Sequence, residues 1–419
     1  MKPYAEMTPA NSPWLGEVPA HWELSRFRYE AVINGGQVDP REEPWSGMTL
    51  IAPNHIESNT GRIISVETAQ EQGADSGKYL VKQGQLVYSK IRPALNKAAI
   101  AETQALCSAD MYAMSFTDRV EPRFALYYFL ARPFHTFATI ISMRVKMPKV
   151  NREELADAPW LVPPLGEQRA IADYLDRETA RIDTLVEEQQ RLIEMLRERR
   201  TAVIAHATSQ GTDVEFRRVI TALRQGWSPN CENWPADGLK EWGVLKVGCA
   251  NRGRFDPAEN KRLPDEETPR SEFAVRRGEL VMSRSNTKDL VGAAAVVDGD
   301  YPRLLLSDLT YGVSLTADAD PAFVAYALAS PGLRVQISAA SKGMSHSMQK
   351  ISQRDIRELR LQLPALDDQR RIAAHLDEQT AKIDALIAET ERFIQLSRER
   401  RSALITAAVT GQTDVREMA

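Results

Sequence analysis

Four short stretches of the chain hold residues suited to gripping a polyanion. They are SKIRPALNK with Lys90, Arg92 and Lys97, MRVKMPKVNR with Arg144, Lys146 and Lys149, SRSNTK with Arg284, Asn286 and Lys288, and SKGMSHSMQK with Lys342, His346 and Lys350. Each mixes cations with Ser, Asn, Gln or His, the groups that contact nucleic-acid phosphates and base edges. Taken singly, each also fits an ordinary solvated loop. Residues for bond-making chemistry do not assemble in the same way. There is no G-x-x-x-x-G-K-[ST] for nucleotide phosphates and no G-x-G-x-x-G opening a helix after a strand. The Asn-Pro-Pro-aromatic or Asp-Pro-Pro-aromatic motif of amino-methyltransferases and the G-x-S-x-G of serine hydrolases are also missing. Six histidines (His21, His55, His135, His206, His346, His375) show no metal-ligand spacing. One nuclease-like fragment, Asp256 with Glu259-Asn260-Lys261, has carboxylates that could hold Mg²⁺, but it lies in a polar, Pro-containing loop.

The elements that must position the basic stretches are organised by an internal repeat. The segment from Pro163 to Val214 aligns without a gap on Pro364 to Val415 at a constant offset of 201, with 26 of 52 positions identical, which chance does not give. The identities include Gln168/Gln369, Ile182/Ile383, Asp183/Asp384 and Arg197-Glu198-Arg199-Arg200 against Arg398-Glu399-Arg400-Arg401. Upstream the repeat weakens but persists. Lys149 faces Lys350, GQLVYSK from Gly84 matches GELVMSR from Gly278, and PRFALYYFLA from Pro122 matches PAFVAYALAS from Pro321. The basic stretches therefore recur at equivalent places, which tilts the set toward a binding surface.

After Pro163-Pro164, residues from about Glu167 to Ala207 run without Gly or Pro, as do residues from about Asp368 to Ala408. These spans predict two helices of about 41 residues, each roughly 60 Å long. Leu175, Ile182, Leu196 and Val203 recur at seven, joined by Leu185 and Leu192. Leu376, Ile383, Leu404, Leu386 and Phe393 follow the same stripe. Ile171, Val186, Ile193, Ile372, Ile387 and Ile394 widen it. A 3.5-residue stripe over several heptads predicts a coiled coil, with polar Gln189, Thr390 and Ser397 fixing register. The alternative is two surface helices, each packed on its own domain. The regions before the helices read as strands and loops with short helices closed by proline, so the expected fold class is α+β. The segments are 1–160, the helical 161–215, then 216–360 and the helical 361–419.

The net charge of −4 hides local differences. The two helical segments carry −4 and −2, whereas residues 1–160 carry −1 and residues 216–360 carry +3. The acidic excess thus sits on the helices and leaves the other segments near neutral or basic. Length suggests two to four domains, and 43% hydrophobic residues can bury real cores. No apolar run approaches a membrane span and mean hydropathy is −0.37, so no membrane role and a cytoplasmic location are expected. Three scattered cysteines, Cys107, Cys231 and Cys249, suit reduced thiols rather than a disulfide framework or zinc site.

The chain resembles the specificity (S) subunit of a type I restriction–modification enzyme. The carriers are SPWLGEVPAHWELSRF (Ser12–Phe27), the two P-x-x-x-[ED]-Q-R-x-I-A-x-x-L-D segments and the two T-D-V ends. The resemblance implies two target recognition domains held apart by two antiparallel coiled-coil helices under a pseudo-twofold axis. Each domain would read one half of a bipartite site in double-stranded DNA, asymmetric here because the two domains differ. It also implies a non-catalytic, prokaryotic chain that binds no cofactor of its own. Two modification subunits would bring adenine methylation with S-adenosylmethionine, and two restriction subunits ATP- and Mg²⁺-dependent translocation and cleavage. Helix residues identical in the two repeats become docking candidates: Gln168, Arg169, Asp183, Arg197, Arg200, Gln369, Arg370, Asp384, Arg398 and Arg401. A stand-alone methyltransferase or nuclease, and a purely structural coiled-coil linker, are the competing readings. If the pseudo-twofold holds, the C-terminal TGQTDVREMA lies near the start of the first domain.

Overall fold

The proline pair Pro163-Pro164 follows the strand Pro159–Val162 and starts a long helix, Leu165–Ala207; Pro364 does the same after Arg360–Leu363, before the helix Leu366–Val409. At 1.5 Å per residue these helices are about 65 Å long. The computed structural model describes residues 3–143, 148–251, 253–343 and 348–416. The chain forms two compact units, Met1–Gln190 with Arg392–Ala419, and Arg191–Glu391.

Each unit repeats one architecture. In unit one, strands Ala31–Ile33, Met111–Phe116, Leu86–Ser89 and Ala98–Ile100 form an antiparallel sheet in that order. In unit two, Ile220–Gln225, Thr310–Leu315, Leu280–Ser283 and Ala294–Val296 form the same sheet in the same order. A smaller sheet beside each contains one parallel pair, Leu106-Cys107 on Leu50-Ile51 and Gly243-Val244 on Leu304-Leu305. The strands Leu86–Ser89 and Leu280–Ser283 are buried at every residue, as expected of LVYS and LVMS covered on both faces. Mixed helix and antiparallel sheet make the fold α+β.

Prolines shape the helices over these sheets. Pro122–Leu130 and Pro321–Ala329 fall where the sequence places short helices. The proline after each does more than close it. Pro133 and Pro331 stand in the first turn of further helices, Arg132–Ser142 and Pro331–Ala340, where a missing N–H costs nothing. The core of unit one is aromatic: the Trp160 ring lies 4.5 Å from Tyr128 and 5.7 Å from Phe27, and Phe129 lies 4.2 Å from Phe134. Unit two centres on Phe216, Tyr311 and Phe323 among aliphatic side chains.

Within each unit, stretches of both long helices run antiparallel. In unit one Asp183 pairs with Arg401 and Glu167 approaches Arg416; in unit two Asp384 pairs with Arg200 and Glu391 with Arg197. The covered positions alternate by four and three. They run Ile182, Val186, Gln189, Ile193, Leu196 and Arg200 on one helix, and Ile383, Ile387, Thr390, Ile394, Ser397 and Arg401 on the other. This corrects part of the expected stripe. Leu192, Leu386 and Phe393 are 36%, 50% and 42% exposed, because the four-three step from Ile182 and Ile383 selects the next residue along.

The C-terminal segment does pack on the start of unit one. Gln412 Nε2 donates to the Glu17 carbonyl at 2.6 Å, and the Arg416 guanidinium lies 4.9 Å from the Tyr4 ring. Gly411 has φ +71°, and a Cβ there would meet Pro19 Cδ at 2.2 Å, so only glycine fits.

Candidate nucleic-acid interface

Strand pairing brings the basic stretches together two by two. In unit one, Ile91 bridges Lys149, Val150 N–H donates to the Lys90 carbonyl at 2.8 Å, and Arg92 N–H donates to the Pro148 carbonyl at 2.9 Å. In unit two, Ser285 and Asn286 pair with Lys350 and Gln349, and Ile351 N–H donates to the Arg284 carbonyl at 3.0 Å. The two joints are equivalent under the repeat, with Lys149 matching Lys350. A tyrosine anchors each: Tyr112 donates to the Val150 carbonyl at 3.1 Å and Tyr311 to the Ile351 carbonyl at 3.2 Å. Burial raises the pKa of both phenols, which keeps them protonated donors. Lys90 Nζ and the Arg152 guanidinium lie 5.4 and 5.8 Å from the Tyr112 ring. The sequence reading missed Tyr112, Tyr311 and Arg152; the matched position of the tyrosines in the repeat was the available signal.

The cations divide by what they touch. Arg92, Lys149, Lys288, Lys342 and Lys350 are exposed, and Lys90 is half-buried. Lys97 is half-buried with Nζ on the Pro53 carbonyl at 2.6 Å, and Arg284 spends Nη1 on the Asp308 carbonyl at 3.0 Å. Asn286 Nδ2 donates to Asn251 Oδ1 at 3.0 Å. These last three serve mainly to hold loops. Among the described residues, none of the eight cations has a carboxylate within 4 Å, whereas Arg123, Arg224, Arg262 and Arg360 do. Arg144, Lys146 and His346 lie outside the described residues. Cations without a carboxylate partner, gathered at these paired segments, are the electrostatic footprint expected for a phosphate backbone.

The repeated helix residues mostly act inside the units. Gln168 and Gln369 are fully buried, so neither presents a side chain to a partner. Gln168 Nε2 donates to the Arg119 and Pro163 carbonyls, each at 2.8 Å, and Oε1 accepts from Glu121 N–H at 2.9 Å. Gln369 makes the same three bonds with Asp318, Pro364 and Asp320. Tyr127 donates to Asp176 and Tyr326 to Asp377, both at 2.7 Å. Each helix start is thus clamped to its own unit by a duplicated set of bonds. Arg401 is buried, binding Asp183 and the Asn59 and Thr60 carbonyls, while Arg200 and Asp384 form a more open pair. Arg169, Arg197, Arg370 and Arg398 remain exposed.

The nuclease-like fragment is structural. Asn260 is fully buried and its amide bonds Ala236 on both sides, and Asp256 accepts from Ala258 N–H. Among the described residues, no cluster of His, Cys, Asp and Glu could hold a metal, and no helix is long and apolar enough to cross a membrane.

Comparisons with known proteins place this architecture. Residues 32–195 match the family model for the type I restriction modification DNA specificity domain. The chain is 31% identical over 216 residues to the type I restriction enzyme EcoDI specificity subunit of Escherichia coli, covering 52% of this chain and 46% of that protein. It is 28% identical over 192 residues to the EcoEI specificity subunit of Escherichia coli, covering 46% and 32%. The chain thus spans less than half the length of these curated relatives. Among solved structures, a chain from a type I R-M system, determined in work on complex assembly and conformational transition, superposes with a TM-score of 0.75 at 18% identity, over 94% of this chain and 99% of that one. The HsdS subunit from Thermoanaerobacter tengcongensis gives a TM-score of 0.51 at 17% identity, over 94% and 98%. The fold is shared with these structures.

Proposed function

We propose, from this similarity to type I restriction–modification specificity subunits, that the chain is the non-catalytic DNA-recognition subunit of such a system, at work in a prokaryotic cytoplasm. The observation that carries this reading is the pair of equivalent strand-paired joints bearing cations that no carboxylate neutralises. Residues 1–160 and 216–360 act as target recognition domains, each reading one half of a bipartite, asymmetric site. Their sheets repeat while their loops differ, as two unlike half-sites require. The helical segments 161–215 and 361–419 set the spacer and dock two modification subunits, and the exposed Arg169, Arg197, Arg370 and Arg398 are the docking residues left on the helix surface. S-adenosylmethionine, ATP and Mg²⁺ belong to the modification and restriction subunits.

Salt titration of DNA binding by the chain assembled with its modification subunits tests this. Each lost phosphate contact flattens the slope of log K against log salt by about 1. Lys149→Ala and Lys350→Ala should each do so while weakening all sequences alike. An unchanged slope in both removes the paired joints from the DNA footprint. Binding of S-adenosylmethionine by the isolated chain favours a stand-alone methyltransferase instead.

A further inference from the structure

We propose that Arg92 is the base-reading side chain of unit one, and that it reads a guanine through the major groove. The inference rests on the DNA-recognition reading and adds one contact to it. Arg92 stands at φ +46°, ψ +56°, a left-handed conformation that costs an L-residue about 1 kcal/mol and that glycine would occupy freely. The guanidinium is exposed, and among the described residues its donors meet no acceptor. A cation kept at such a position, with no acceptor among the described residues, is suited to a contact outside the chain.

The loop beneath it is rigid. Arg92 N–H is fixed to the Pro148 carbonyl, and its own carbonyl accepts from Leu95 N–H at 2.9 Å. Pro93 follows directly, and Asn96 is buried with Nδ2 on Asn59 Oδ1 and the Leu130 carbonyl, each at 3.1 Å. His135 Nε2 reaches the Ala94 carbonyl at 3.2 Å, and Lys97 is tied to Pro53. The loop is therefore fastened from several sides with the Arg92 side chain exposed on it, the pre-organisation that a specific contact needs. Lys90 and Lys149, beside it on the paired segments, are point charges suited to phosphate. Arg92 offers a planar fork, which matches guanine O6 and N7 in a bidentate pair, whereas the nearby Arg152 spends Nη2 on the Asn34 carbonyl at 2.9 Å. Unit two carries Asn286 at the matching place, already bonded to Asn251, so the two units cannot read alike.

The test is Arg92→Lys and Arg92→Ala in the chain assembled with its modification subunits, scored by methylation mapping and by binding to a library of site variants. Both variants can adopt the same backbone at the same cost, so folding is not at issue. The expected result is loss of preference for one G·C pair in one half-site, by roughly 5- to 150-fold, with the other half-site unchanged. Arg92→Lys should keep the salt slope while losing the preference. If the wild-type complex is selective and both variants remain equally selective, the assignment is overturned. Equal weakening on every sequence with a flatter slope also overturns it, making Arg92 a phosphate contact. A wild-type complex with no sequence preference would instead refute the DNA-recognition reading itself.

Discussion

Replacing Gln168 by Ala should loosen the first long helix from unit one by an amount the geometry allows to be worked out. The side chain is fully buried and makes three bonds, two donated to the Arg119 and Pro163 carbonyls and one accepted from Glu121 N–H. At about 1 kcal/mol for each bond, with a further penalty for backbone groups stranded away from water, the loss is about 3–5 kcal/mol. Gln369→Ala removes the matching three bonds in unit two and should cost a similar amount. The two sites share no partner, so the double variant should be additive within about 0.5 kcal/mol. Gln168→Glu supplies a finer test. Its carboxylate accepts from Glu121 but cannot donate to two carbonyls, so folding disfavours the charged form and raises its pKa. Relative to the wild type, stability should therefore be highest at low pH and fall as pH rises through that raised pKa. Urea unfolding gives the energies, and hydrogen exchange at the Glu121 amide reports the local joint. A loss under about 1 kcal/mol, with Glu121 exchange unchanged, would refute the clamp.

The two helix ion pairs should respond unequally. Arg401→Met strands Asp183 and two carbonyls in a buried setting and should cost about 3–5 kcal/mol. Arg200→Met breaks a more open pair and should cost under about 1 kcal/mol in the same unfolding measurement. Burial pushes the Cys107 and Cys249 thiols up to about 12, while Cys231 is partly exposed. Alkylation at neutral pH followed by peptide mapping should therefore find Cys231 modified first. A permutant that joins Ala419 to Met1 through a short linker and opens between Ser209 and Gln210 should fold with wild-type circular dichroism, since the C-terminal segment already packs on Glu17 and Tyr4. Failure of that permutant to assemble with modification subunits, where the wild type does, would count against the packing of the C-terminal segment on the start of unit one.

The long helices were legible because the repeat and the apolar period report the same thing, and no Gly or Pro interrupts them. Which apolar positions close the seam was not. Leu192 and Ile193 are both apolar, and only the facing helix decides between them. The basic stretches were visible as four separate loops. Their pairing was hidden because Ile91 meets Lys149 and Ser285 meets Lys350 across dozens of residues, and two-residue strand contacts leave no periodic trace. Identity between the repeats was correctly taken as constraint but misread as an outer surface at Gln168 and Gln369. A glutamine recurring at a helix start is as well explained by the buried backbone groups it must satisfy, and here it satisfies three. Arg132–Ser142 and Pro331–Ala340 were missed because a proline that stops one helix equally opens the next.

The central claim is that two differing units read two different halves of one DNA site. Mapping methylated adenines in a genome that expresses this chain with its modification subunits tests it most directly. The account predicts a single interrupted sequence with unlike halves separated by a fixed spacer, and loss of methylation when either Lys149 and Arg92 or Lys350 and Lys342 are replaced by Ala. Methylation at an uninterrupted sequence, at a symmetric one, or without sequence preference would contradict it.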